Sequence, residues 1–210
     1  MKKTFVLVIL FILPIVAYLF FASGVNNFGK LPELTQNVGE LNLEDTSKKF
    51  RNNITVLGFL GSNVERKKGN AFNLNQKIYK RFKDFNDFQF LMLMPKGTEE
   101  AVEELKKELS LLADVDKWNF VFADSQEIQK VFHNLKTDLT LDENMATPYV
   151  FIIDKDLNLR GRTQDEEEGT KYGFNSNSVA DLNNKMVDDV KIILAEYRLA
   201  LKKNNAERTN

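Results

Sequence analysis

The stretch that decides the fold is a predicted hairpin that runs Ala146-Thr147-Pro148-Tyr149-Val150-Phe151-Ile152-Ile153-Asp154-Lys155-Asp156-Leu157-Asn158-Leu159-Arg160-Gly161-Arg162. Residues 149–153 are bulky strand formers without a break, which is typical of a strand buried on both faces. Residues 154–158 are mostly short and polar, as in tight turns, so a second, antiparallel strand is expected after them. Pro148 cannot donate a hydrogen bond to a sheet, so it is predicted at the entrance of the first strand.

Alternating strands and helices are predicted before this hairpin. Strands are expected at residues 54–60, 88–94 and 118–122, and helices at about 70–82, 98–112 and 125–135. The first helix rests on apolar residues that share one helical face, namely Ala71, Leu74, Ile78 and Phe82. Thr98 with two following glutamates predicts the start of the second helix. An acidic loop and a last helix at about 179–201, capped by Ser178, complete the pattern.

This order of elements predicts an α/β fold, with a central mixed sheet flanked by helices on both faces. One domain is expected over residues 51–201, followed by a flexible tail at 202–210. Residues 24–50 contain early Gly, Pro and Asn and are predicted to be a linker. A short edge strand is possible within that linker, at Glu40-Leu41-Asn42-Leu43.

The N-terminal segment, residues 1–23, is predicted to be a membrane anchor. Lys2 and Lys3 precede an apolar run from Phe5 to Phe21. Its 17 residues make a helix of roughly 25 Å, near the lower limit for crossing a bilayer. The run is longer than the core of most signal peptides and lacks a clean small-x-small cleavage site. An uncleaved anchor is therefore favoured over a cleaved signal peptide, with the domain exported across a bacterial inner membrane into the periplasm.

Composition excludes several classes of function. The chain has no cysteine, which excludes thiol–disulfide exchange, thiol peroxidase activity and thiolate metal ligands. Without Lys2 and Lys3, 27 basic and 30 acidic residues remain, a net charge of −3. A nucleic-acid partner is not expected, because such partners usually require a clear surplus of basic residues.

From residue 54 to 201 the pattern resembles thioredoxin-like proteins, in particular their membrane-anchored Sco and TlpA branch. The Thr147-Pro148 hairpin is similar to the closing unit of that fold, and the resemblance implies a cis Pro148 beside the active site. The stretch Gly58-Phe59-Leu60-Gly61-Ser62-Asn63-Val64-Glu65-Arg66 resembles the Gly-Phe-Thr-x-Cys-Pro-x-x-Cys region of Sco copper chaperones. The predicted anchor and the long last helix also fit that branch.

The sequence departs from this family at the residues that carry its chemistry. Ser62 and Arg66 stand at the two cysteine positions, and a Sco copper site needs two thiolates and a histidine. The single histidine, His133, lies in the helix before the hairpin, where the family has no ligand. We therefore expect a redox-inactive scaffold that is not an enzyme and holds no cofactor.

The expected function is the binding of another envelope protein. Its predicted surface is the former active-site face, made of Gly61, Ser62, Asn63, Arg66, Lys67, Lys68, Thr147 and Pro148, with residues 163–174 as a further part. In the thioredoxin fold, backbone groups beside the proline bind extended peptides, which requires no cysteine. The resemblance to Sco proteins implies a cytochrome oxidase component or an assembly factor as partner, an analogy of fold alone.

A copper carrier that uses His133 and methionines is the alternative from another class. A single histidine without neighbouring ligands favours an exposed or capping residue. Met92, Met94 and Met145 offer thioethers, but core packing is the usual role of methionine on a strand. A non-thiol enzyme is a third possibility, for which no set of catalytic residues is visible.

Four other features each have a plain structural interpretation that is favoured over a functional one. Ser62 could be a nucleophile, but no His-Asp pair accompanies it in the sequence, so it is interpreted as a turn residue. Arg66-Lys67-Lys68-Gly69 as an anion site before a helix is weighed against a solvated turn. Asp165-Glu166-Glu167-Glu168 as a calcium or basic-partner site lacks calcium-loop spacing, so a solvated loop is expected. The phenylalanine cluster, Phe82, Phe85, Phe88 and Phe90, is assigned mainly to the core.

Overall fold

The computed structural model describes residues 10–16, 29–41 and 48–208, with side chains up to residue 200. Residues 10–16 are helical and exposed, and the rest of the predicted anchor lies outside the described residues. Within these described ranges, no helix is both long and apolar enough to cross a membrane.

The centre of the fold is a mixed β-sheet in the order β1-β6-β5-β2-β3-β4, and β9 extends it beside β5. β2, β3 and β4 are parallel, whereas β5 is antiparallel to β2 and β6 is antiparallel to β5. The predicted mixed sheet and the predicted hairpin at residues 146–162 are therefore confirmed. The strands are β1 Glu33–Thr35, β2 Ile54–Gly58, β3 Phe88–Pro95, β4 Trp118–Ala123, β5 Tyr149–Ile153, β6 Leu159–Arg160, β7 Arg162–Asp165, β8 Gly169–Lys171 and β9 Phe174–Asn175.

Four helices connect and cover these strands. α1 comprises Val64–Leu74, a π-helical stretch Asn75–Tyr79 and a last turn Lys80–Phe82. α2 is Glu99–Ser110, and α3 is Ser125–Asn134. α4 comprises Val179–Asp181, a π-helical stretch Leu182–Met186 and Val187–Arg208. The two π-helical stretches pack against each other.

The start of α1 was predicted too late. The helix begins at Val64 and not near residue 70, because the side chain of Asn63 accepts a hydrogen bond from the Arg66 N–H at 3.2 Å and caps it. The charged run at 65–68 looked like a solvated turn, but it lies on the outward-facing side of the first helical turns. Gly69 is inside the helix as well, so this run is not a loop that precedes a helix.

The sheet separates two apolar clusters. On one side, α1, α2 and α4 pack on a cluster that includes Val56, Phe90 and Met92. On the other side, α3 packs on a cluster that includes Phe59, Phe151 and Val121. Val38, Leu41 and Phe50, from the segment predicted as a linker, also belong to this second cluster. Helices therefore lie on both faces, as expected, with three on one side and one on the other.

The predicted edge strand lies elsewhere in that segment. β1 pairs antiparallel with β6, with Glu33 opposite Arg160. Residues 40–41 are not in a strand, and Asn42 and Leu43 lie outside the described residues.

The acidic loop predicted after the hairpin is largely β-structure. β7 and β8 form a hairpin, and β9 pairs with the start of β5. The Asp165 carboxylate accepts the N–H groups of Glu167 and Glu168 at 3.1 and 3.2 Å, and Gly169 has a φ of +70°. The residues on either side of the acidic run are therefore strands and not loop, and the buried Asp165 folds back to build a tight turn in which Glu166 to Glu168 are exposed.

The Thr147–Pro148 peptide bond is trans, as are all peptide bonds of the described residues. The expectation of a cis Pro148, which came from the family resemblance, was therefore wrong. A trans bond is the common isomer before proline. Here this chain's own residues hold the loop on both sides: Thr147 N–H donates to the Phe59 carbonyl at 3.0 Å, and Ser176 N–H donates to the Pro148 carbonyl at 2.8 Å.

Candidate functional site

The candidate site lies at the end of the sheet where β2 and β5 part. β3 and β5 are the two neighbours of β2 in the sheet. After β2 the chain continues through α1 to β3 on one side of β2, and it returns later to form β5 on the other side. In open α/β sheets, ligands bind at such a switch point, beyond the carboxyl ends of the parallel strands. The segments after β2 and before β5 meet there, because Leu60 forms an isolated β-bridge with Ala146.

The turn after β2 is closed by the segment around Asn144. Gly61 has a φ of +71°, and a Cβ at this position would lie 2.4 Å from the Asn144 carbonyl oxygen, so only glycine fits. The Ser62 N–H donates to that carbonyl at 2.9 Å, and the Ser62 hydroxyl donates to the Asn144 side-chain oxygen at 3.1 Å. Ser62 is exposed, but its hydroxyl contacts an amide and no base. This contact agrees with a turn residue and supplies no activated nucleophile.

The basic residues at the start of α1 have different environments. Lys68 lies 2.6 Å from Glu65 and 2.7 Å from Glu108, so it ties α1 to α2. Hydrogen bonds from these two carboxylates raise the pKa of Lys68. Arg66 is exposed and Lys67 is half-exposed, and neither side chain has a hydrogen-bond or ion-pair partner in the described part of the chain. Arg66 and Lys67 are therefore available for an external contact, whereas Lys68 is structural.

Ser176 joins the middle of α1, the Pro148 loop and the residues after β9. Its hydroxyl donates to the Pro148 carbonyl at 2.5 Å and accepts a hydrogen bond from the Asn70 amide at 2.7 Å. The Asn73 amide donates to the Ser176 carbonyl at 3.0 Å. Ser176 is buried, and these bonds place α1, the Pro148 loop and the residues after β9 side by side. Asn70, Asn73 and Ser176 lie just outside the ranges that the sequence suggested, so the contact runs beside the predicted face, through a serine that the sequence analysis did not single out.

A cleft of about 270 Å³ opens beside Tyr149. The β7–β8 turn, the end of β9 and the first turns of α4 form its walls, through Tyr149, Glu167, Glu168, Asn175, Ser178, Ala180, Asp181, Asn184 and Lys185. The sequence analysis missed this cleft, apart from the acidic run. The sequence contains no local signal of it, because acidic and basic residues spaced by four, such as Asp181, Lys185 and Asp189, are also typical of a solvated helix face.

The charges around this cleft are paired with one another. Lys171 is fully buried, and its ammonium group lies 2.5 Å from Glu168 and 3.1 Å from Asp181. Lys185 contacts Glu167 at 2.7 Å and Asp165 at 2.9 Å. These ion pairs fasten the β7–β8 hairpin to α4.

Asp165 has a pKa that reports this pairing. Burial alone would raise the pKa of Asp165, but hydrogen bonds from Lys185 and from two backbone N–H groups outweigh burial and lower it to about 2. Nearby, Arg162 donates two hydrogen bonds of 2.8 Å to Asp189. Burial raises the pKa of Asp189 in spite of this cation. The expectation of a solvated acidic loop was therefore wrong for Asp165, which is buried and paired, whereas Glu166, Glu167 and Glu168 are exposed in a turn as expected.

The residues of the predicted copper carrier are not brought together. Met92 and Met94 are buried in the cluster under α1, α2 and α4, whereas Met145 packs on the other side of the sheet. His133 is exposed in the last turn of α3. Within the described residues, no three His, Cys, Asp or Glu side chains are placed to hold a metal ion. Core packing of Met92 and Met94 and exposure of His133 are therefore confirmed.

Comparison with solved structures identifies similar folds. A candidate protein disulfide isomerase from Bacteroides thetaiotaomicron is 12% identical, with a TM-score of 0.50 over 79% of this chain and 94% of that one. The fold is thioredoxin-like. Copper-bound ScoI from Arabidopsis thaliana is 15% identical, with a TM-score of 0.46 over 69% of this chain and 90% of that one. A thiol:disulfide interchange protein from a Bacteroides species is 17% identical, with a TM-score of 0.44 over 78% and 90%.

Neither a protein-family model nor a curated protein matches this thioredoxin-like chain. At identities this low, the solved structures establish the fold and not the activity. The site chemistry must come from the residues of this chain, which supply amides, hydroxyls and paired charges at the end of the sheet.

Proposed function

We propose that this protein is a redox-inactive, thioredoxin-like binding domain that recognises another envelope protein through the N-terminal end of α1 and the adjoining Pro148 loop. The single observation that carries the proposal is the pair of cations at Arg66 and Lys67. They stand at the edge of the switch point, and no group of the described residues neutralises them. Ser62 and Arg66 replace the two cysteines that the resemblance to Sco proteins would require. The binding function therefore rests on contacts and not on electron transfer.

Side chains, and not added strands, are the proposed means of contact. The backbone groups beside the proline are engaged within the chain, since Thr147 N–H donates to Phe59 and the Pro148 carbonyl accepts from Ser176. A partner peptide would have to displace β9 to form the usual strand pairing. Exposed cations instead favour a partner that presents carboxylates. Such charge complementarity mainly raises the association rate and the specificity.

The proposed setting is the periplasmic side of a bacterial inner membrane, with residues 1–23 as anchor. The apolar run from Phe5 to Phe21 after two lysines supports this placement. A cytochrome oxidase component, or an assembly factor for one, is the proposed partner. The support is the similarity of residues 58–66 to the Sco copper-site region, and that support is by analogy.

The test is capture of partners by the tagged full-length chain from its native membranes in a gentle detergent. Mass spectrometry identifies the proteins captured, and haem spectroscopy detects oxidase subunits. The double variant Arg66→Glu, Lys67→Glu reverses both cations of the proposed surface. We expect it to reduce capture of the specific partner by about tenfold, as loss of a charge-assisted contact would.

The matched control is Lys77→Glu, Lys80→Glu. These residues belong to the same helix, have the same degrees of exposure and lie at the opposite end. Both double variants should fold, because surface changes away from structural contacts alter stability by only about 0.5 kcal/mol. Equal capture by wild type and the Arg66, Lys67 variant would refute the proposed surface. Capture of a partner that mass spectrometry identifies as neither an oxidase subunit nor an assembly factor would leave the surface in place and refute the oxidase assignment.

A further inference from the structure

The outer edge of β4 is a second surface with unsatisfied bonding capacity. β4 is the last strand of the sheet order, and among the described strands only β3 pairs with it. The other edge of the sheet is much shorter, since β1 has three residues and begins with Glu33. β4 has six residues, Trp-Asn-Phe-Val-Phe-Ala, without a charge or a proline. Natural proteins usually protect a free edge strand with charged residues or proline, because an unprotected edge pairs with other chains. β4 lacks this protection.

The hydrogen-bond pattern shows which backbone groups face outward. Phe90 N–H donates to the Lys117 carbonyl at 2.9 Å, and Lys96 N–H donates to the Ala123 carbonyl at 3.1 Å. Since successive residues of a strand alternate in direction, residues 117, 119, 121 and 123 point towards β3. The N–H and C=O groups of Phe120 and Phe122 therefore point away from the sheet. None of the described residues forms a hydrogen bond to them.

An aromatic stack leads to this edge and ends there. The rings of Phe90 and Trp118 stack at 4.6 Å with an interplanar angle of 25°, and those of Trp118 and Phe120 at 5.9 Å and 19°. Phe120 and Phe122 lie on the same face of β4, and both are only half-buried. The stack thus stops at side chains that still have apolar surface to bury, directly beside the unpaired backbone groups.

We propose that a second copy of this chain pairs with the β4 edge, antiparallel and about a two-fold axis at Val121. In this register, Phe120 lies opposite Phe122 of the second copy. The N–H and C=O groups of these two residues form four hydrogen bonds across the axis. The aromatic stack continues from Phe120 to Phe122 of the second copy, a cross-strand pair that stabilises antiparallel strands.

The side chains of the strand make the edge self-complementary. Phe120 and Phe122 flank the proposed axis, so antiparallel pairing of two identical strands places each of them beside the other residue of the second copy. A two-fold interface requires such a self-complementary patch. The charges at the ends of β4 are engaged within the chain, because Lys117 donates to a backbone carbonyl at 2.6 Å and Asp124 pairs with Lys96 at 3.0 Å. The symmetry of the aromatic rings therefore favours a second copy over an unrelated strand.

Sedimentation velocity of the full-length chain in mild detergent, over a range of concentrations, tests the proposal. Wild type should show a monomer–dimer equilibrium. Phe122→Lys places two cations at the interface and should weaken dimerisation about tenfold or more. The control Leu111→Lys makes the same kind of change at an apolar residue that is 85% exposed beyond α2, and it should dimerise as wild type does.

A cross-linking experiment tests the register and does not depend on that variant. The chain has no cysteine, so Val121→Cys introduces its only thiol. Two residues on the axis form a non-hydrogen-bonded pair with Cα atoms about 4.5 Å apart, within the range of a disulfide. Oxidation should link Val121→Cys into dimers and leave Ser110→Cys, exposed at the end of α2, mostly monomeric. A chain that stays monomeric, binds an added strand peptide instead, or cross-links equally at both positions refutes the proposal.

Discussion

Two charged segments flank the same end of the sheet, and they use their charges in opposite ways. In residues 61–68, Ser62 is held by neutral hydrogen bonds and Lys68 by two carboxylates, whereas Arg66 and Lys67 extend into solvent. Residues 162–171 carry Lys171 and Asp165, which are buried and paired with Asp181 and Lys185 of α4. A run of charges in a sequence therefore does not reveal its exposure. The opposite charge that decides exposure lies on a distant element.

The largest expected difference comes from removing one cation from each segment. Lys171→Met leaves Glu168 and Asp181 without their buried partner, and should lower the free energy of unfolding by about 3 kcal/mol. Lys67→Met removes an exposed cation and should change it by less than about 0.5 kcal/mol. Urea unfolding, followed by the fluorescence of Trp118, the only tryptophan, measures both. Equal losses of unfolding free energy would mean that the cations of the two segments do not differ in their contribution to stability.

Acid should weaken the second segment at a defined pH. The pKa of Asp165 is about 2 in the folded protein, below its ordinary value of 3.8. Because the folded pKa is the lower one, the stabilisation, about 2 kcal/mol, is fully present above pH 4 and is lost as the pH falls towards 2. Asp165→Asn should remove this loss, so the unfolding free energies of variant and wild type should converge between pH 4 and 2. Parallel curves over that interval would contradict the assignment.

Two glycines of the first segment should respond with opposite signs. Gly61→Ala introduces a Cβ at a φ of +71° and against the Asn144 carbonyl, and should destabilise by about 1 to 2 kcal/mol. Gly69→Ala meets no atom within 4 Å inside α1 and should stabilise by about 0.5 kcal/mol or more. The same unfolding measurement applies. A stabilising Gly61→Ala would mean that the turn at residues 61–62 is open and not closed by Asn144.

The smallest expected difference concerns two helix caps, one in the first segment and one on the helix against which the second segment packs. Asn63 caps α1 and Ser178 caps α4. The side chain of each accepts a hydrogen bond of 3.2 Å from the backbone N–H three residues later. Asn63→Ala and Ser178→Ala should each cost about 1 kcal/mol. Because a cap is a local interaction, the two costs should be similar despite the different charges nearby. A much larger cost for Ser178→Ala would show that the cap also supports the ion pairs.

The elements that the sequence predicted well are those with a strong local pattern. The apolar runs at 88–94 and 149–153 became β3 and β5, and Ser178 caps α4 as expected. The capping position of Thr98 is also right, although its hydroxyl donates to the Pro95 carbonyl and does not accept an N–H. The start of α1 was predicted too late because the charged run at residues 65–68 resembles a solvated turn. In the structure, Asn63 caps the helix and this run forms its first turns.

The sequence predicted which segments form the candidate site but not the contacts that join them. The sequence named residues 61–68 and the Pro148 loop, but the bonds that join the middle of α1 to that loop pass through Ser176, which is 106 residues from Asn70. The cleft beside Tyr149 needs the β7–β8 turn and α4 to meet, and the sequence analysis placed a loop there. A serine among asparagines gives no local signal of either contact.

The sequence by itself determined the order of strands β2 to β6 and of the four helices, and the absence of thiol chemistry, because both follow from which residues are present and how they alternate. Only the tertiary structure decided which charges are buried. Lys171 pairs with Asp181 and Arg162 with Asp189 across separate elements. It also decided that Ser176 holds the Pro148 carbonyl and that β4 ends the sheet. These features depend on distances between residues far apart in the chain, which local propensity and periodicity do not encode.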